Sequence, residues 1–246
     1  MQLPINYTET ADIETSSDDY AQRFSGEIGL WFLKVQEEVT LKMISPWPGA
    51  TILDVGGGHG QLTGSLIDNG YRVSVLGSAE VCKKRIQEFI DRGLCEFTTG
   101  NIIELPYPDK AFDIVISFRL LPHVTKWKQL IRELTRVARR AVVVDYPSKQ
   151  SINCISSPFF RLKKRLEGNT RPFTLFSESD LLEVLKLYGF VYAERYPEFF
   201  LPMVLHRVLK LPYFSSFAEK ICRISGLTQI FGSPVVLKVI RGDLKL

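Results

Sequence analysis

Residues 51–62 read Thr51-Ile52-Leu53-Asp54-Val55-Gly56-Gly57-Gly58-His59-Gly60-Gln61-Leu62. A short apolar run closes on four glycines within five positions, and a helical pattern follows. The run has the length and composition of a buried strand. Glycine admits positive φ and lets a ligand approach the backbone closely. In a doubly wound sheet, ligands bind at the carboxyl ends of the strands, where this turn lies. The other reading is a tight strand-to-helix turn without a ligand. Gly56, Gly58 and Gly60 give G-x-G-x-G, with Asp54 two residues ahead. A dinucleotide fingerprint needs its third glycine at position 61, where Gln61 stands.

Outward from this turn, strands and helices alternate. Strands are expected at Thr51–Val55, Arg72–Leu76, Cys95–Thr98, Phe112–Phe118 and Ala141–Tyr146. Helices are expected at Gln61–Asp68, Glu80–Arg92 and Lys126–Arg139, and Asn69-Gly70 and Gly93 end the first two. A helix at Ser177–Leu187, with Ser177 as its cap, precedes strands at Val191–Tyr196 and Pro234–Ile240. Upstream, residues 1–19 lack periodicity and are expected to be mobile. A helix follows, with Phe32, Val35, Val39 and Met43 on one face. The expected fold is α/β: a seven-stranded doubly wound sheet, mostly parallel with the last strand antiparallel, and helices on both faces. Segment 1–49 is a helical cover. Segment 50–246 is the main domain, and its insertions at 147–172 and 197–233 form a lid.

The chain has 246 residues, is 45% hydrophobic and 24% charged, and carries a net charge of +4. Residues 151–230 hold 11 Lys and Arg against 7 Asp and Glu, and the rest of the chain holds 20 of each. That local excess is too small for a nucleic-acid binder. The four cysteines form no CxxC pair and the N-terminus is polar, which points to reduced thiols in the cytoplasm. The three histidines, His59, His123 and His206, show no metal-ligand spacing. His206 is expected at the surface.

The stretch ILDVGGGHGQL (52–62) and the stretch GNIIELPYPDKAFDIVISFRLLPHV (100–124) resemble the two motifs of class I S-adenosylmethionine-dependent methyltransferases. The resemblance covers residues 50–146 well and 173–197 loosely. It points to the small-molecule group that includes the ubiquinone and menaquinone C-methyltransferases. It implies S-adenosylmethionine as cofactor and a small, partly hydrophobic methyl acceptor. The cofactor would lie on Gly56, Gly57, Gly58 and Gly60, with Asp54 at its ammonium end. Asn101 and Ile102 would meet the adenine, and Ser117 and Phe118 the sulfonium. Tyr20, Arg23 and Phe24 would close over it from the N-terminal helix.

Two positions depart from the family pattern. Gly77 stands where an acid would hold the ribose, leaving Ser78 and Glu80 to substitute. Asn101 replaces the usual Asp. His123 is the candidate general base, needed only if the acceptor carries a proton. The apolar and basic residues of 197–233 suit a lid in contact with a lipid-like acceptor or a membrane surface. A nicotinamide oxidoreductase and a non-catalytic binding protein on the same fold are the alternatives.

Overall fold

A computed structural model describes residues 7–151 and 173–243. Seven strands form one sheet: β1 Thr51–Val55, β2 Arg72–Gly77, β3 Cys95–Thr99, β4 Phe112–Ser117, β5 Ala138–Tyr146, β6 Phe190–Pro197 and β7 Val235–Arg241. Their order is β3-β2-β1-β4-β5-β7-β6. Only β7 runs against its neighbours, β5 and β6. The order reverses between β1 and β4, so the crevice above their carboxyl ends is the switch point of the sheet.

The central strands are largely apolar because the sheet is covered there on both faces, whereas the edge strands β3 and β6 keep polar and exposed residues. One face packs α6 (Trp127–Val137) and α7 (Glu178–Leu187), through Leu130, Ile131, Leu134, Leu181 and Leu185. The other packs α3 (Gly26–Ile44) and α4 (Thr63–Asp68), through Val39, Met43 and Leu66. Between β6 and β7 lie α8 (Met203–Leu209), α9 (Pro212–Ile224) and α10 (Leu227–Phe231). The remaining helices are the short α1 (Ala11–Thr15), α2 (Asp18–Gln22) and α5 (Gln87–Asp91).

Several expectations need correction. Residues 11–15 are not mobile chain. They form α1, and Ala11, Asp12 and Thr15 are buried because the helix lies on the crevice. The segment from Glu80 is 3-10 helix through Ile86 and only then α-helix. β5 begins at Ala138, directly after α6, so the expected helix end at Arg139 is strand. Ser177 occupies the cap position of α7, but its hydroxyl pairs with the Ser179 side chain rather than with a backbone N–H of the helix. The expected insertion at 147–172 lies outside the described residues from 152 onward.

The loop from β3 to β4 is fixed by a charge network. Arg136 on α6 donates to the carbonyls of Leu105 and Tyr107 at 3.0 and 2.7 Å. It pairs with Glu133 at 2.7 Å, and Glu133 accepts the Leu105 N–H at 3.0 Å. Burial alone would raise the Glu133 pKa, but the Arg136 and backbone hydrogen bonds outweigh it and hold the carboxyl below its usual range.

Candidate active site

The glycine turn is built by conformation and by crowding. Gly56 and Gly60 have φ of 77° and 70°, which other residues rarely adopt. A Cβ on Gly57 would stand 2.2 Å from the Asp54 carboxyl carbon, and one on Gly58 would stand 2.3 Å from the Cys82 carbonyl. Gly56 N–H donates to the Leu76 carbonyl at 2.8 Å, tying the turn to the end of β2.

Asp54 is fully buried under this turn, and neither carboxylate oxygen has a hydrogen bond among the described residues. Burial pushes its pKa up to about 7. An unpartnered buried carboxylate is costly, and a cationic ligand group would relieve that cost. His59, in the same turn, accepts the Gln61 N–H at Nδ1, and burial holds it neutral with a pKa near 3.

Gly77 has a steric reason. A Cβ there would meet the Cys82 Cβ at 2.8 Å and the Phe97 ring at 3.0 Å, so an acid does not fit. The carboxylate beside this strand end comes from elsewhere. Asp12 of α1 accepts the Ser78 N–H at 2.6 Å and the Cys82 thiol at 3.4 Å. Periodicity gave no hint of Asp12, because α1 is five residues long and aperiodic.

The N-terminal segment lies on the crevice. Asn101 donates to the Tyr7 carbonyl at 3.1 Å and accepts the Glu9 N–H at 3.3 Å. Ala11 packs with Leu53, Val55, Leu76 and Ile102. The Ser16 hydroxyl would stand 2.6 Å from a Cβ on Gly58. Asp18 pairs with Lys84 at 2.8 Å and with Arg85 at 2.6 Å. Gly56, Gly58, Ser78 and Asn101 are thus brought to one crevice, with residues 7–18 over it.

The other residues read from the sequence divide between core and crevice rim. The Ser117 hydroxyl is spent on the Val55 carbonyl at 2.9 Å. The Phe118 ring belongs to the core with Val39 and Met43. The Tyr20 and Phe24 rings meet at a tilt with centroids 5.8 Å apart, and Arg23 sits 5.0 Å over the Tyr20 ring. His123 follows β4 in a 3-10 turn, with its ring 5.6 Å from Phe173. His206 is not at the surface. It is buried against Trp31 and Phe32, and its Nε2 lies 3.0 Å from Glu219.

Beside the turn is a polar cluster that sequence reading missed. Gln36 of α3 donates to Glu198 at 3.2 Å and more weakly to Asp145 at 3.5 Å. It accepts from Gln61 and from Arg119. Arg119 has a φ of 59°, and its N–H donates to Asp145 at 2.6 Å. Its guanidinium lies 3.6 Å over the Phe24 ring. Burial pushes Asp145 up to about 6, and burial together with the nearby Asp145 charge pushes Glu198 up to about 8. The four residues come from α3, the β4 end, the β5 end and the β6 end, so only the tertiary fold assembles them.

Residues 53–144 match the family profile described as a methyltransferase domain. The glycine/sarcosine/dimethylglycine N-methyltransferase of Actinopolyspora halophila is 31% identical over 138 residues, covering 54% of this chain and 21% of that protein. The ubiquinone/menaquinone biosynthesis C-methyltransferase of Hahella chejuensis is 32% identical over 108 residues, covering 40% of this chain and 43% of that protein. The chain therefore spans less than half the length of these curated relatives. Among solved structures, the magnesium protoporphyrin IX methyltransferase of Synechocystis PCC 6803 with bound SAH has a TM-score of 0.62. It is 16% identical over 93% of this chain and 97% of its own, a likeness of fold. Fold and glycine turn together define a methyltransferase domain. Over this domain the chain is similar to class I S-adenosylmethionine-dependent methyltransferases.

Proposed function

We propose that the chain binds S-adenosylmethionine at the β1–β4 crevice and transfers its methyl group to a small, partly hydrophobic acceptor. The observation that carries this reading is Asp54, a buried carboxylate with both oxygens unpaired beneath a four-glycine turn. That donor set suits the ammonium end of an amino-acid ligand. Gly56, Gly57, Gly58 and Gly60 would pass under the ligand, Asn101 and Ile102 would border its adenine, and Ser78 with Asp12 would border its ribose. Ser117 and Phe118 underlie the sulfonium position from the β4 end. Tyr20 and Arg23 would close the methionine end. Residues 7–9 must shift for this, because they hold both ends of the Asn101 amide, and so must α1, whose Asp12 and Ser16 lie against Gly56 and Gly58.

When bound, the cofactor supplies an electrophilic methyl, so the protein's part is alignment and exclusion of water. An acceptor that carries a proton has two candidate takers, His123 and the Asp145–Glu198 pair. The raised pKa values put the pair close to neutral, where a general base works best. Residues 197–233 would cover the acceptor. Equilibrium dialysis against S-adenosylmethionine and, separately, NADH tests the reading. Retention of the first and not the second is expected. Retention of NADH alone overturns it in favour of an oxidoreductase.

A further inference from the structure

Helices α8, α9 and α10 are built inside out. A helix of a globular protein ordinarily buries its apolar stripe and shows its polar face to water. In α9 the buried residues are Ser215 and Glu219. Phe214, Phe217, Ile221 and Ile224 recur at the three- and four-residue spacing of one helical face, and they are 52–78% exposed. In α8, His206 is buried while Val204 and Val208 face out. In α10, Thr228 is buried while Ile230 faces out. Of the 20 exposed large apolar residues among those described, 12 lie between 204 and 230. Apolar surface concentrated in this way marks an interaction site.

Charge selects the partner. The exposed charged residues from 199 to 233 are Lys210 and Lys220, with Arg207 and Arg223 half-buried, and all four are positive. The one acid of the stretch, Glu219, is turned inward. It accepts the N–H groups of Phe200 and Leu201 at 2.8 Å and contacts His206. Pro202 and Pro212 do not break this face, because each stands at the start of a separate helix.

We infer that the outer face of α8, α9 and α10 docks on an anionic bilayer. The apolar side chains would enter the headgroup–acyl boundary, and Lys210 and Lys220 would meet the lipid charges. No helix of the described residues is long and apolar enough to cross a membrane, so the docking is interfacial. A second copy on the same face would bring like charges together. The inner side of α9 reaches the site: Arg223 donates to the carbonyls of Pro197 and Glu198 at 2.9 and 2.8 Å. The lipid-facing helix therefore backs onto the segment that carries Glu198. The docking goes beyond the proposed methyl transfer and does not depend on it.

Vesicle flotation of the full chain tests the inference, using phosphatidylcholine alone or mixed with phosphatidylglycerol. Binding to the mixed vesicles at low salt is expected, weakening as salt is added. Phe217→Glu with Ile224→Glu should lower it at least about tenfold, and Lys210→Glu with Lys220→Glu should abolish the preference for anionic lipid. All four side chains are exposed, so circular dichroism and thermal melting should match wild type. Absence of binding at low salt, or equal binding to both vesicles, overturns the inference. So does a wild-type dimer in light scattering that the Phe217/Ile224 variant returns to monomer, since that assigns the face to a second copy. Cofactor dialysis is read separately, so failure here leaves the methyltransferase reading standing.

Discussion

Glu198 shows how a buried group couples the site to stability. Its folded pKa, near 8, lies above the ordinary carboxyl range. Between about pH 4.5 and pH 8 the folded chain therefore holds a proton that the unfolded chain has lost, and stability falls as pH rises through that window. Glu198→Gln removes the charge and keeps an amide beside Gln36. It is expected to be more stable than wild type by about 2 kcal/mol at the alkaline end of the window and by little at its acid end. Denaturant melts across pH check this, and a slope unchanged from wild type contradicts the buried placement. Arg136 acts in the opposite sense. Arg136→Met leaves the Glu133 carboxylate, among the described residues, only Arg132 at 3.4 Å and the Leu105 N–H, and frees the 105–109 loop, so a loss of about 2–4 kcal/mol is expected. A denaturant midpoint that does not move contradicts it. Single residues were legible where their signal was local. Asp54 and the glycines announce themselves within seven positions. Asp12, Gln36, Arg119 and Glu198 do not, because their meaning comes from partners as many as 162 residues away.

At the scale of elements, the strands were read to within a residue at each end, except β5, which starts three residues earlier than expected. The central ones are largely apolar runs bounded by breakers, as burial on both faces requires, and the edge strands β3 and β6 were found from their β-forming residues despite their exposed positions. α1 was not legible, because five residues are too few to show a period, and α2 was read only as the start of one long helix where the structure has two, Asp18–Gln22 and Gly26–Ile44. α1 is held by what it lies on, through Ala11 in the core and Asp12 at Ser78. The opposite failure occurs in α8–α10, where the apolar residues were read correctly and their direction was not available from sequence. The N-terminal segment gives its own test. Deleting residues 1–10 removes the Tyr7 and Glu9 partners of Asn101 and leaves α1 in place. With two hydrogen bonds of about 1 kcal/mol each no longer to be displaced, S-adenosylhomocysteine should bind about thirtyfold more tightly. Fluorescence titration measures it. Weaker binding would instead make residues 1–10 a cover that holds the ligand.

For the whole molecule, alternation of strand and helix gave the sheet, and the late antiparallel strand gave its order a single reversal of direction. The switch point falls where the glycine turn stands, so fold and candidate site meet at one crevice. The polar cluster beside the turn was not legible, because Gln36, Arg119, Asp145 and Glu198 converge from a helix and the ends of three strands. The central claim is that the crevice takes an S-adenosyl ligand with its ammonium on Asp54. Calorimetric titration of S-adenosylhomocysteine into wild type and Asp54→Asn tests it directly. The account predicts one site per chain in wild type. In the variant it predicts affinity at least about tenfold lower, as expected for loss of a charged hydrogen bond, with folding stability equal or higher. Equal affinity in the two proteins, or no binding to wild type, would contradict it.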